Sequence, residues 1–138
     1  MKVAILSTTK PPNFLGDDHP DEASLFAEDE VLAGALAARG LVARRVSWRS
    51  RDVDWRDFGL VLRRSTGYYI DAPEVFLAAL EEITAAGCRL VNPLATVRWN
   101  IDKRYLIQLQ ATGRAVVPTA LLTPGIDPHA QMVQLGPA

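Results

Sequence analysis

Apolar residues recur along this chain in two alternating rhythms. Short unbroken runs such as Val3–Leu6 suit strands buried on both faces of a parallel sheet. Between them the apolar positions fall three and four residues apart, the spacing of a helix face. The first strand, Val3 to Leu6, leads into a polar loop from Ser7 to Pro20. A helix is predicted from Glu22 to Arg39, with Leu25, Leu32 and Leu36 on its apolar stripe, Glu28, Asp29 and Glu30 marking solvent, and Gly40 closing it. Leu41 to Trp48 reads as a second strand. Arg44 and Arg45 interrupt its apolar run, which predicts a sheet edge. Val53, Trp55 and Phe58 pin the next connection, and Gly59 to Arg63 form a third strand. Asp71 is the expected cap of a second helix, with Pro73 in its first turn, Glu74 in the capping-box position and Gly87 at its end. Phe76, Leu80 and Ile83 give that helix its core face. Arg89 to Val91 make a fourth strand, stopped by Asn92-Pro93. Asn100 is the expected cap of a third helix, on which Ile101, Tyr105 and Leu109 share a face up to Gly113. Val116 to Leu122 read as a fifth strand, and beyond Thr123 proline and glycine dominate.

Strands alternating with helices specify an α/β domain with a mostly parallel sheet and right-handed crossovers. A Rossmann-like sheet of four to five strands in the order 2-1-3-4 is expected, with the fifth strand leaving the domain or adding at an edge. In such sheets ligands bind beyond the carboxyl ends of the strands, where the order reverses. That crevice would bring the Ser7–Asp18 loop against Arg64–Tyr69. Asp17-Asp18-His19 lies in the first of these loops. Metal or amine binding, a helix-entry turn and plain solvation all suit those residues. Their spacing is not that of a metal motif, and turn chemistry explains them most simply.

Composition narrows the function. The chain has 138 residues, 49% hydrophobic and 22% charged, with a formal net charge of −1. That balance points to neither nucleic acid nor an anionic membrane surface. The aromatics at Trp55 and Phe58 have no basic, interleaved groove around them, so packing is expected rather than base stacking. Cys88 is the single cysteine. It cannot form an internal disulfide, which fits a reducing cytoplasm, and its setting suggests a small buried residue rather than a nucleophile. The N-terminal apolar run is too short for a signal peptide or a membrane span. GxGxxG, Walker, HExxH, CxxC and GxSxG patterns are all missing from the sequence. Lys103 is unusual, because a cation in the first turn of a helix opposes the helix dipole. It is either a solvated lysine screened by Asp102 or a residue that meets an anion.

Asn92-Pro93, the segment Trp99-Asn100-Ile101-Asp102-Lys103-Arg104-Tyr105-Leu106, Gly113 and Val117-Pro118-Thr119 together resemble the N-terminal region of ATP-grasp ligases. The branch resembled is that of glutathione synthetase and the enzymes that add amino acids to ribosomal protein S6. Arg64-Ser65-Thr66 followed by Tyr69 resembles it as well, with Gly67 and Tyr68 where that branch usually carries Trp and Asp. The resemblance implies a ligase that activates a carboxylate as an acyl phosphate with MgATP and passes it to an amine. It implies that Lys103 is the first of two lysines touching ATP phosphates. It also implies that Arg64, Ser65, Thr66 and Tyr69 help shape the site of the carboxylate or amine substrate, to which the predicted crevice adds Asp17 and Asp18. Arg64 could hold a substrate carboxylate with its planar fork, or pair with Asp17 or Asp18 across the crevice.

The family's second lysine and its magnesium-holding acids and asparagine lie further along than Ala138. Residues 1–115 are therefore expected to form the pre-ATP-grasp domain, and residues 116–138 to begin the connection into an ATP-grasp domain missing from this chain. ATP and magnesium are expected in the complete enzyme, with neither held tightly by this chain alone. The missing half would lie in cis or in a partner chain, and a homodimer fits the family's habits. The alternative expectation is a non-catalytic small-molecule-binding or interaction module.

Overall fold

The computed structural model describes residues 1–8, 22–122 and 124–130, with side chains left out at 22–25. Two compact units divide the chain, Met1–Thr96 and Val97–Ala138.

The first unit is built on β1 (Lys2–Ser7), whose Val3, Ala4, Ile5 and Leu6 are fully buried. Helix α1 (Glu22–Ala37) leads to β2 (Val42–Ser47), and Gly40 takes a left-handed φ of 74° in the turn between them. A 3-10 turn at Trp55–Asp57 precedes β3 (Leu60–Arg63). Helix α2 (Pro73–Ala85) and β4 (Arg89–Val91) follow. All pairings are parallel, in the order β2-β1-β3-β4. The predicted α/β class, strand order and edge position of β2 are therefore observed.

Phe76, Leu80 and Ile83 of α2 are each fully buried. Burial of such side chains contributes about 1.5–3 kcal/mol apiece. Phe76 is the centre of an aromatic group, with Trp48 edge-on at 5.2 Å and Tyr69 stacked at 5.1 Å. Trp55 and Phe58 pack 6.0 Å apart, as expected of the connection they pin. Cys88 is buried, and its thiol donates to the Trp55 carbonyl at 2.9 Å. Burial pushes that thiol up from its ordinary pKa.

Three local expectations are corrected. The cap of α2 is Ala72, with no side-chain hydrogen bond, so neither Asp71 nor the capping box is used. The reason is that residues Tyr69–Asp71 form their own 3-10 turn, which closes through the Ala72 N–H on the Tyr69 carbonyl at 3.2 Å. Asp29 does not mark solvent. It lies three residues after Phe26, on the same buried side of α1, and is 1% exposed. Val116–Leu122 pair with no strand among the described residues. Pro118 has no N–H to give a ladder, and Val117 and Leu122 stand largely exposed.

The second unit holds most of α3 (Leu94–Asn100) and all of α4 (Tyr105–Ala111). Asn100 ends a helix rather than capping one. The break arises at Asp102, whose carboxylate accepts from the Arg104 backbone N–H at 2.9 Å and from its Nε at 2.7 Å. This local turn competes with helix continuation. Trp99 and Tyr105 pack at 4.8 Å, and the Trp99 indole N–H donates to Gln108 at 3.2 Å. No described helix is long and apolar enough to cross a membrane.

Candidate functional site

The sheet order reverses between β1 and β3, and the backbone beyond those strands closes into a small hollow. The Arg64 N–H donates to the Leu6 carbonyl at 3.1 Å, and the Thr8 N–H to the Ser65 carbonyl at 2.8 Å. These bonds extend the β1–β3 pairing past the strand ends and hold the two loops together. The hollow has a volume of ≈ 220 Å³ and is lined by Thr8, Phe26, Ser65, Gly67 and Tyr68. Tyr68 sits at φ 62°, ψ 9°, the left-handed region that bulky side chains avoid. A second hollow of ≈ 310 Å³ opens beyond β1 and β2, where the paired residues Ser7 and Ser47 face Phe26 and Arg45.

Ser65 is the hinge of the site. Its hydroxyl donates to Asp29 Oδ1 at 3.0 Å, while Asp29 Oδ2 is buried without a hydrogen-bond partner. Asp29 is the residue that sequence reasoning missed. The signal available was its spacing from Phe26, which puts it on the core side of α1. Its acidic neighbours Glu28 and Glu30 hid that position. Both neighbours do face solvent. Glu28 pairs with Arg64, and Glu30 with Arg45 at 3.7 Å. Arg45 also lies 4.0 Å above the Phe26 ring.

The other predicted site residues are dispersed. Thr66 is buried, and its N–H donates to the Arg64 carbonyl at 2.9 Å. Tyr69 stacks on Phe76 and is not among the side chains lining the ≈ 220 Å³ hollow. Arg64 is exposed and takes Glu28 as its partner. Asp17 and Asp18, and His19 beside them, lie outside the described residues. Lys103 is exposed in the turn before α4, with its Nζ 5.7 Å from the Tyr105 ring centroid. Asp102 is engaged by Arg104, whose hydrogen bond holds the carboxyl below its usual range.

Among the described residues, no group of three or more His, Cys, Asp or Glu side chains is placed to hold a metal. A hollow of ≈ 550 Å³ lies between the segment after β2 and α2, away from the switch point. Its charged members Arg49, Arg51, Glu74 and Glu82 face solvent.

Comparison with known proteins fits this geometry. The curated cycloserine biosynthesis protein DcsG of Streptomyces lavendulae is 39% identical over 96 residues, which is 70% of this chain and 32% of that protein. The chain thus spans about a third of its relative's length. The crystal structure of D-cycloserine synthetase DcsG matches with a TM-score of 0.72 at 28% identity, over 97% of this chain and 41% of that one. Residues 3–92 match the family described as the D-cycloserine synthetase DcsG N-terminal domain, a span that includes both walls of the crevice and Asp29 behind it. On that match the chain belongs to the DcsG N-terminal domain family.

Proposed function

We propose that this chain is the substrate-binding front part of an ATP-grasp ligase that makes cycloserine or a close analogue. The observation that carries the reading is the crevice at the β1–β3 switch point, both of whose walls fall inside the family match. Kinship with the glutathione synthetase and ribosomal protein S6 branch is part of the proposal, supported by Arg64-Ser65-Thr66 and by the Asp102-Lys103 segment.

In this reading the complete enzyme's MgATP supplies carboxylate activation. The magnesium that accompanies ATP is proposed to be held by the other part of the ligase. This chain's residues bind and orient. Thr8 and Ser65 line the crevice, and the paired backbone of Leu6–Thr8 and Arg64–Ser65 fixes their separation. Phe26 and Tyr68 supply apolar walls that exclude water from the bound group. Lys103 is proposed as the residue that meets ATP phosphate, a point-charge contact suited to lysine.

The test is a titration of the ¹⁵N-labelled chain with D-cycloserine, followed by amide NMR. Shifts confined to Thr8, Ser65, Gly67 and Tyr68, together with no ADP formation from ATP by the purified chain, are expected. Shifts that cluster elsewhere, or none at millimolar ligand, would refute the crevice as the substrate site.

A further inference from the structure

We propose that the hollow between the segment after β2 and α2 is a second ligand site, suited to a small molecule that carries an ammonium and a carboxylate at opposite ends of an apolar body. It shares no described lining residue with the β1–β3 crevice, and the proposal stands apart from the reading above.

The two walls come from different elements. One is the turn that ends β2. There the Arg49 N–H donates to Ser47 Oγ at 3.2 Å and the Ser50 N–H to the Ser47 carbonyl at 3.1 Å. This turn brings Arg49 and Arg51 to the hollow. The other wall is α2. Glu74, Ala78 and Glu82 follow one another at four-residue spacing, so they share a line along the helix. The two glutamates stand about 12 Å apart along the axis, a little over two turns. Trp48, Trp55, Val75, Ala78 and Ala79 give the hollow its apolar lining. Its volume of ≈ 550 Å³ falls in the range of small-molecule sites, about 300–1,000 Å³.

The charges say what such a molecule must carry. The Arg49 guanidinium lies 4.4 Å from the Trp48 ring centroid, a contact that places it beside the apolar lining. Among the described residues, none of Arg49, Arg51, Glu74 and Glu82 makes an ion pair. Two basic and two acidic side chains thus line one hollow without neutralising each other. A ligand with a single charge serves one wall only. A ligand charged oppositely at its two ends serves both, and its body covers Val75, which is 49% exposed, with Ala78 and Ala79 beside it. Each ion pair at such an exposed site strengthens binding roughly two- to fivefold.

The probe is trans-4-(aminomethyl)cyclohexanecarboxylate, with cyclohexylmethylamine and cyclohexanecarboxylate as its two halves. Amide NMR titrations of the full chain are expected to show the zwitterion shifting Arg49, Ser50, Arg51, Val75, Ala79 and Glu82. Each half should bind there roughly two- to fivefold more weakly. Arg49→Gln with Arg51→Gln should erase the advantage over cyclohexylmethylamine and keep the advantage over cyclohexanecarboxylate. Glu74→Gln with Glu82→Gln should do the reverse. Ala78→Trp, which fills the hollow, should abolish binding and serves as the control if a double variant fails to fold. Equal binding of the zwitterion and either half would overturn the proposal, as would the absence of shifts at these amides with millimolar probe. Shifts at the same amides on dilution of the chain alone would also overturn it, by assigning the hollow to a second copy of the chain.

Discussion

Asp29 and Ser65 form a pair in which removing one partner and removing both have different consequences. Ser65→Ala leaves both Asp29 oxygens unpartnered in a buried site. That should destabilise the chain by about 1–3 kcal/mol, the cost of an unsatisfied buried polar group. Asp29→Leu combined with Ser65→Ala removes both buried polar groups together. It should restore stability to near the parent value or above it, as replacement of buried polar groups by packed apolar ones often does. Urea denaturation of the two variants checks this, and a double variant less stable than Ser65→Ala would count against it. This pair was only half legible in the sequence. Ser65 stood out in a polar run after a strand, but Asp29 sat between two glutamates that do face solvent. Periodicity places Asp29 on the stripe of Leu32 and Leu36, three and seven residues on, but its acidic character and neighbours drew it to the solvent side. Arg64 shows the same limit, because its partner Glu28 is 36 residues away in sequence. The sequence set a substrate carboxylate against a bridge to Asp17 or Asp18, both across the crevice from Arg64.

At the level of elements, the apolar rhythm was a good guide and the caps were not. Phe76, Leu80 and Ile83 follow helical spacing, and all three are fully buried. Phe76→Ala should therefore cost about 3–5 kcal/mol, since it empties the space that Trp48 and Tyr69 pack against. Asp71→Ala, at the predicted cap that is not used, should change stability by less than ~0.5 kcal/mol, as for an exposed position with no special contact. Thermal unfolding of the two variants gives the comparison. Caps resist reading because the same residues favour competing turns. Asp71 joined the 3-10 turn before α2, and Asp102 turned the chain onto Arg104. The fifth strand was unreadable for another reason. Val116, Val117, Leu121 and Leu122 have strand-like composition, but a strand needs a partner as well as a propensity.

For the whole molecule, Cys88 offers a reporter of global opening. Its thiol is buried and hydrogen-bonded to Trp55, so attack by a thiol reagent requires loss of the core around it. At pH 8 the folded chain should react many-fold more slowly than the chain in denaturant, and the rate should track stability across variants. The pH dependence has a definite sign. The folded thiol pKa is raised, so the unfolded state loses its proton first as pH climbs past roughly 8.5. The contribution of this group is fully present below that pH and declines as pH rises towards the folded value. A Cys88→Ala variant should lose that part of the alkaline decline, as measured by urea midpoints between neutral and alkaline pH.

The two arginines of β2 have a consequence beyond this protein's chemistry. Among the described residues, strand β2 has β1 as its one neighbour and is an edge of the sheet. Arg44 lies 5.4 Å from the Phe58 ring centroid on one side, and Arg45 covers Phe26 on the other. Each face of the strand thus carries a charge held in place over an aromatic ring. A second molecule that tried to extend the sheet here would have to bring its own strand against these two arginines. Such guarded edges resist the strand-by-strand growth that leads to fibrils. The residues that interrupt the apolar rhythm of the second strand thus guard one edge of a four-stranded sheet.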